Sequence, residues 1–191
     1  MATGLAWASG LRLYAVLFFI GVLGYFGVFE LPRDLEILSH PWVMLTTGAL
    51  FVFEFGADKI PGFDTLWDGF QTFVRIPGGA LLAAAAVADQ SAPLALAAAL
   101  LGGTFAAGAH FTKAGSRALI NTSPEPFSNW TASFAEDALA AGIVWFAFAH
   151  PLALSLVLCV FALLTAWLLP RLWRGVRRVI ALARHRLGAP G

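Results

Sequence analysis

Residues 53–79 read FEFGADKIPGFDTLWDGFQTFVRIPGG, and this stretch decides what kind of protein the chain is. It places charged side chains between segments that are apolar enough to enter a lipid bilayer. A charge near the centre of a bilayer costs about 2.5 to 3.5 kcal/mol on insertion scales, so such residues normally face the protein interior, pair with one another or line a path for ions. The stretch therefore predicts a membrane protein with a polar core.

The composition of the whole chain supports this prediction. Of its 191 residues 59% are hydrophobic and 12% are charged, and the mean hydropathy is +0.78, whereas soluble domains carry about 25% charged residues. Because a helix needs about 20 apolar residues to cross the hydrocarbon, the length predicts about six crossings. The predicted fold is all-α, with one polytopic transmembrane domain over residues 1–175 and a basic cytoplasmic tail over residues 176–191.

Basic residues in short loops predict the orientation. The arginines from Arg171 to Arg186 follow an apolar run and have no acid among them. Such residues favour the cytoplasmic side, so counting back over six crossings places both termini in the cytoplasm. The tail is expected to contact anionic lipid headgroups, and no nucleic-acid partner is expected. Cys159 is the single cysteine, which excludes an intrachain disulfide.

Polar and apolar side chains alternate with helical spacing between residues 61 and 75. Asp64, Asp68, Gln71 and Arg75 recur at i, i+4, i+7 and i+11. The spacing predicts an amphipathic helix that bends near Pro77. Two placements stay open: the helix lies in the headgroup region with its polar face in water, or that face turns inward to meet cations.

A second polar stripe lies on a later predicted helix. His110, Lys113, Arg117 and Asn121 share one helical face. They can pair with the carboxylates, contact lipid phosphates, or line a path for an anion or a proton. His110 itself is either a hydrogen-bonded structural residue or a proton relay.

Two acidic pairs, Glu54 with Asp58 and Glu136 with Asp137, interrupt apolar segments near prolines. A proline leaves a backbone carbonyl without its helical partner. Carboxylates beside free carbonyls suit a hard cation, although ordinary loops with helix caps are the other interpretation. The predicted ion-binding residues are Glu54, Asp58, Asp64, Asp68, Glu136 and Asp137, with Glu54, Asp58, Glu136 and Asp137 as metal ligands. The predicted charge partners or anion-binding residues are Arg12, Lys59, Arg75, His110, Lys113, Arg117 and Asn121.

Similar motifs occur in the two halves of the chain. Residues 8–12 (ASGLR) resemble residues 113–117 (KAGSR), and each half later presents an acidic pair. Many carriers consist of two inverted halves of three helices, so a three-plus-three repeat is one interpretation of the pattern.

Several motifs together resemble the bacterial membrane family catalogued as domain of unknown function 4126, from Gly10 to about Ile143. They are residues 54–64 (EFGADKIPGFD), the bend at 72–79, residues 113–117, residues 121–126 (NTSPEP), Asn129 and Glu136-Asp137. The resemblance implies a small multi-span α-helical protein of the bacterial inner membrane and no particular activity. Residues 54–59 also resemble the Glu-x-Gly-Asp-Lys-Thr/Ser signature of calcium/manganese–proton exchangers, with Ala57 inserted and Ile60 in place of the hydroxyl residue.

The leading functional hypothesis is a small secondary transporter or channel for an inorganic cation or proton, which uses the intramembrane carboxylates. The second is a carrier or scramblase for a phosphorylated lipid or another anion, bound by the basic stripe. The third is a non-transporting membrane scaffold whose charges join the helices. An intramembrane enzyme is the fourth hypothesis, since acid pairs can do acid/base work, but no nucleophile is singled out and we do not expect an enzyme. No cofactor is expected, and a homo-oligomer stays open.

Overall fold

The computed structural model describes residues 1–60, 62–121, 126–163 and 167, and within these residues it is helical and contains no strand. The helices are α1 (Ala2–Tyr25), a 3-10 helix (Arg33–Ser39), α2 (Pro41–Ala57), α3 (Phe63–Ala85), α4 (Ala92–Ile120), α5 (Pro126–Ala149) and α6 (Pro151–Leu163). Pro61, residues 122–125, most of the predicted last span beyond residue 163 and the predicted basic tail lie outside the described residues.

By its contacts the chain divides after Leu154, and everything described below lies in the unit Met1–Leu154. Within this unit α1 is the central helix, since it contacts α2, α3, α4 and α5, and α3 packs along α4. Side chains on four helices therefore point toward α1, and that is where the polar residues meet.

Helix α1 is interrupted near its middle. Arg12 has the non-helical backbone angles φ −147° and ψ 77°. It lies about 15 to 20 Å from either end of the helix at 1.5 Å per residue, which is close to the centre of a hydrocarbon core about 30 Å thick if α1 spans it. Helix α1 contains no proline, but the Ser9-Gly10 pair lies just before the break, and such pairs favour kinks. The contacts that Arg12 makes hold the break in place.

Small residues let α1, α3 and α4 approach closely. A side chain at Gly79 would meet Ala106 of α4 and Ser9 of α1, and one at Gly102 would meet Ala83 of α3. Small residues at such crossings are typical of helices packed in membranes. This contact fixes the three helices that carry most of the charged side chains.

Helix α3 contains the predicted amphipathic segment and turns its polar face inward. Phe73 is 81% exposed, whereas Arg75 is 0% exposed. The same division holds along the helix: Asp64, Asp68, Gln71 and Arg75 are buried, and Phe63, Leu66, Phe70 and Phe73 are exposed. An apolar outer face and a charged inner face are what a helix in lipid requires.

The helix also continues through Pro77 to Ala85. The amphipathic segment and the apolar segment after it were predicted as two pieces joined by a bend, and they form one helix instead. The proline removes a single backbone donor, which membrane helices tolerate where neighbouring helices or side chains supply a partner.

Three of the described helical segments are long and apolar enough to cross a membrane: Ala2–Tyr25, Ala92–Arg117 and Phe127–Ala149. The 3-10 helix and α2, bent by 72° with respect to each other, make a fourth if the pair counts as one broken span. The described part of the chain is therefore all-helical and has several candidate membrane spans, which is consistent with a membrane protein. The predicted number of six and the predicted inverted repeat stay predictions.

Candidate functional site

Arg12 is the centre of a buried network of charges. Its Nη1 forms an ion pair with Asp58 Oδ2 at 2.8 Å, and its Nε lies 2.9 Å from Asp137 Oδ1 and 3.6 Å from Glu136 Oε2. Its Nη2 also donates to the hydroxyl of Ser133 at 2.6 Å. The guanidinium thus joins α1 to the end of α2 and to α5, and these contacts account for the extended backbone at this residue.

Lys113 of α4 occupies the same centre. Its ammonium lies 2.7 Å from Asp58 Oδ2, 3.3 Å from Glu136 Oε2 and 3.7 Å from Asp68 Oδ1. It also donates to the carbonyl oxygen of Leu11 at 3.3 Å. A break in a helix leaves carbonyls without their usual donors, so the ammonium stabilises the interruption of α1 directly.

Arg117, one turn further along α4, holds Glu136 from the other side. Its Nε and Nη2 donate to the two carboxylate oxygens of Glu136 at 3.2 Å and 2.9 Å, a bidentate pair. Its Nη1 donates to the backbone carbonyls of Asp58 at 3.2 Å and Asn129 at 3.0 Å. The guanidinium therefore satisfies the backbone after α2 as well as the carboxylate on α5.

Arg75 forms the second part of the network, on the polar face of α3. Its Nη2 is paired with Glu54 Oε1, and its Nη1 lies 2.7 Å from Asp68 Oδ1. The same Nη1 donates to Nδ1 of His110 at 3.2 Å, and the other ring nitrogen of His110 lies 2.7 Å from the hydroxyl of Thr72. Asp68 links this part to Lys113 and hence to the rest of the network.

Asp64 has neutral partners only among the described residues. Its Oδ1 accepts from the backbone N–H groups of Gly62 at 2.9 Å and Thr65 at 2.6 Å, and the amide of Asn121 donates to both of its oxygens at 2.9 Å. Asn121 in turn accepts from the amide of Asn129 at 2.8 Å. At the N-terminus of α3 the helix dipole also favours a carboxylate, so Asp64 is stabilised as an anion without a cation.

Lys59 lies apart from the network, although it was predicted as a charge partner. Its ammonium sits 2.9 Å from the centre of the Phe55 ring and 5.0 Å from that of Phe134, a cation–π arrangement. Within the described part of the chain, no carboxylate lies within 4.0 Å of it.

The network holds more negative than positive groups. Each of its four cations contacts at least two carboxylates. The cations are Arg12, Arg75, Lys113 and Arg117, and the carboxylates are Glu54, Asp58, Asp68, Glu136 and Asp137. When all nine are ionised, four positive charges meet five negative charges, so the network lacks one positive charge.

The carboxylates differ in how well they are satisfied. Oδ2 of Asp68, Oε2 of Glu54 and Oδ1 of Asp58 are buried and have no hydrogen-bond partner in the described structure. Glu136 and Asp137 are slightly open, with side chains 13% and 15% exposed. Asp58 lies beyond the end of α2: burial raises its pKa, but the attraction of Lys113 and Arg12 outweighs burial and holds that pKa below its ordinary value.

The structure therefore brings together five of the six predicted ion-binding residues and places Asp64 beside them through Asn121. Of the predicted partners, it joins Arg12, Arg75, His110, Lys113 and Arg117 to this group. In the described residues no group of three or more His, Cys, Asp or Glu side chains is arranged to hold a metal ion. The carboxylates predicted as metal ligands each lie close to an arginine or lysine, and their role as metal ligands stays a prediction.

Sequence reasoning did not identify Ser133 as a member of the site, and it took Asn129 only as part of a family motif. Both are buried, at 0% and 1% exposure. Asn129, Ser133, Glu136 and Asp137 recur at i, i+4, i+7 and i+8 along α5, which is the spacing of one helical face. That periodicity in α5 was the available indication.

The chain matches the family model described as Domain of unknown function (DUF4126) over residues 1–171. The chain belongs to this family. The match confirms the resemblance inferred from the motifs, and it does not extend to the calcium/manganese–proton exchangers. No curated protein and no solved structure matches the chain. Because the family description names no activity, the function of this DUF4126 protein has to be argued from the network itself.

Proposed function

We propose that the protein is a small secondary transporter or channel that moves protons, or an inorganic cation, through its membrane by way of the buried carboxylates. The observation that carries the proposal is the deficit of one positive charge among nine charged groups, seven of them buried and two, Glu136 and Asp137, partly exposed. An uncompensated buried charge costs several kcal/mol. A mobile positive charge removes this cost when it binds, and the cost returns when the charge leaves.

The position of the charge deficit supports the same proposal. Arg12 lies near the middle of α1, so the network reaches toward the centre of the bilayer if α1 spans it. Glu136 and Asp137 are partly exposed, whereas Glu54 and Asp58 are fully buried. A path that runs from open to buried carboxylates at this depth is what transport of a small positive charge needs.

A scaffold without transport is the second candidate, and one observation favours it. Every cation of the network already contacts at least two carboxylates, as expected if the charges serve only to join helices. The same pairing gives no support to the anion-carrier alternative, because a lipid phosphate would have to displace carboxylates from all four cations of the network.

The deciding experiment measures proton and cation flux in proteoliposomes that contain the purified protein. A pH-sensitive dye inside the vesicles reports proton flux under an imposed potential, and parallel assays follow Na⁺, K⁺, Ca²⁺ and Mn²⁺. Glu136→Gln should abolish the flux, since it removes the partly exposed carboxylate that pairs with Arg117 and Lys113. Glu30→Gln is the matched control, because the same change is then made at an exposed residue outside the network.

A binding measurement separates a cation from a proton as the transported charge. A cation that binds the folded protein should raise the free energy of unfolding by about 2.7 kcal/mol at a hundredfold excess over its dissociation constant. The parent and Glu30→Gln should both show this shift, and Glu136→Gln should not. A folded parent that moves neither protons nor any of these cations contradicts the proposal and leaves the scaffold.

The proposal includes six spans with both termini in the cytoplasm of a bacterium. It is supported by the basic residues of the short loops. In a Cys159→Ser background, single cysteines at Arg33 and at Ala189 should react with an impermeant thiol reagent from opposite sides of the membrane. Reaction from the same side contradicts this topology.

A further inference from the structure

A cavity of about 150 Å³ opens beside the network between α3 and α4. It is lined by Thr65, Asp68, Gly69, Thr72, His110, Phe111 and Ala114. A cavity of about 250 Å³ near Leu17 and one of about 450 Å³ near Glu30 include no member of the network. The cavity between α3 and α4 therefore differs from these two in having a residue with a buried carboxylate, Asp68, in its lining.

Asp68 is the carboxylate that the cavity reaches. Its side chain is 2% exposed, and its Oδ1 is held by Arg75 at 2.7 Å and lies 3.7 Å from Lys113. Its Oδ2 is buried and has no hydrogen-bond partner in the described structure. A buried oxygen of this kind costs free energy unless water, a proton or a cation reaches it.

The hydrogen bonds of His110 assign its protonation state. Arg75 can only donate, so Nδ1 of His110 accepts from it and the hydrogen of the neutral ring lies on Nε2. Nε2 then donates to the hydroxyl of Thr72, which donates to the backbone carbonyl of Asp68 at 3.1 Å. His110 is thus occupied on both nitrogens, and among the residues that line the cavity Asp68 has a buried carboxylate oxygen without a hydrogen-bond partner in the described structure.

We infer that this cavity is the site where protons reach the network and that Oδ2 of Asp68 is their first acceptor. The inference rests on the proposed function and adds to it the access site and the identity of the transported charge. In the transfer an O–H bond of a hydrated proton in the cavity breaks, an O–H bond forms on Asp68, and neutral water remains. No electron is transferred, and His110 acts as a positioning residue that orients Thr72 and Arg75.

Protonation at this point supplies the missing positive charge. The groups that face Asp68 are Arg75 from its own helix and Lys113 and His110 from α4. Neutral Asp68 attracts Arg75 and Lys113 less, so Arg75 stays with Glu54, and Lys113 stays with Asp58 and Glu136. The network then holds four positive and four negative groups, so its charge is balanced.

The test uses two single cysteines in a Cys159→Ser background. Gly69 lines the cavity and Gly115 does not, and a side chain at either position meets no atom within 4 Å. Gly69→Cys and Gly115→Cys are therefore matched substitutions on helices. Proton flux in proteoliposomes is measured before and after a positively charged, water-soluble methanethiosulfonate reagent, and the mass of each protein shows whether its thiol has reacted.

The reagent should stop proton flux through Gly69→Cys and leave flux through Gly115→Cys unchanged. Asp68→Asn, which keeps an oxygen for Arg75, should lower proton flux by about a hundredfold, as expected for loss of a positioned proton acceptor, while the protein stays folded. A thiol at position 69 that does not react, or reacts without effect on flux, overturns the inference, and so does an active Asp68→Asn.

These outcomes differ from a failure of the proposed function. If the parent conducts and Glu136→Gln does not, but labelling at position 69 and Asp68→Asn have no effect, the access site is wrong and the transporter stands. If flux follows a gradient of Na⁺ or K⁺ and not of protons, the proton is wrong as the transported charge. A parent without any flux contradicts the proposed function itself.

Discussion

Removing the guanidinium of Arg12 should destabilise the protein mainly by leaving Asp137 without a cation. Asp58 keeps Lys113 at 2.7 Å, and Glu136 keeps Arg117 at 2.9 Å, but in the described structure Asp137 has an ion pair with Arg12 only. Breaking a buried ion pair from one side costs about 3 to 5 kcal/mol. Arg12→Gln should therefore lower the free energy of unfolding by this amount.

A second substitution tests the reason for the loss. Asp137→Asn neutralises the stranded carboxylate, so Arg12→Gln/Asp137→Asn should be more stable than the sum of the two single changes predicts, with a coupling of about 1 to 3 kcal/mol. The measurement is reversible unfolding in mixed micelles followed by circular dichroism. Arg33→Gln, at an exposed arginine, serves as the control and should change stability by less than about 0.5 kcal/mol. Additive losses in the double variant would refute the assignment of Asp137 to Arg12.

Three further predictions follow from the described geometry. Gly79→Ala should destabilise by about 1 to 3 kcal/mol because the new methyl group meets Ala106 and Ser9. Gly108→Ala, whose methyl group meets nothing within 4 Å, should stabilise by up to about 1 kcal/mol. Equal effects of the two substitutions in the unfolding assay contradict the close packing. In a Cys159→Ser background, a spin label at Phe73 should collide with oxygen dissolved in the lipid and one at Gln71 should not, and the reverse result means that α3 faces the other way. Burial raises the pKa of Asp58, but its ion pairs with Lys113 and Arg12 hold that pKa below its ordinary value. The stabilising contribution of this carboxylate is therefore complete above about pH 4 and is lost as the pH falls further. The stability difference between the parent and Asp58→Asn should be constant from about pH 7 to about pH 5 and shrink below about pH 4.

The polar stripe of α3 could be predicted from the sequence because it depends on spacing within one helix. Asp64, Asp68, Gln71 and Arg75 repeat with the period of a helix whatever surrounds them. The direction of that face could not be predicted, since both water and a cluster of cations suit it. The structure decides for the interior, where Arg75 meets Glu54 of α2.

Contacts between helices were beyond prediction for a different reason. Lys59 follows Asp58 directly, yet Asp58 turns into the network and Lys59 lies on the ring of Phe55, because adjacent residues point to different sides of the backbone. The break at Arg12 had only a weak local indication, the Ser9-Gly10 pair just before it. It is held by partners on α2 and α5 that are distant in sequence.

The break in α1 and the charge deficit support one another physically. The ammonium of Lys113 donates to the carbonyl of Leu11, the residue before the break, as well as contacting Asp58 and Glu136. With that carbonyl available, the ammonium has a neutral acceptor that stays in place when a nearby carboxylate is neutralised. Under the inference above, a proton on Asp68 weakens one contact of Lys113 without stranding its charge. The interruption at Arg12 thus lets the network change its charge by one while the helices keep their positions.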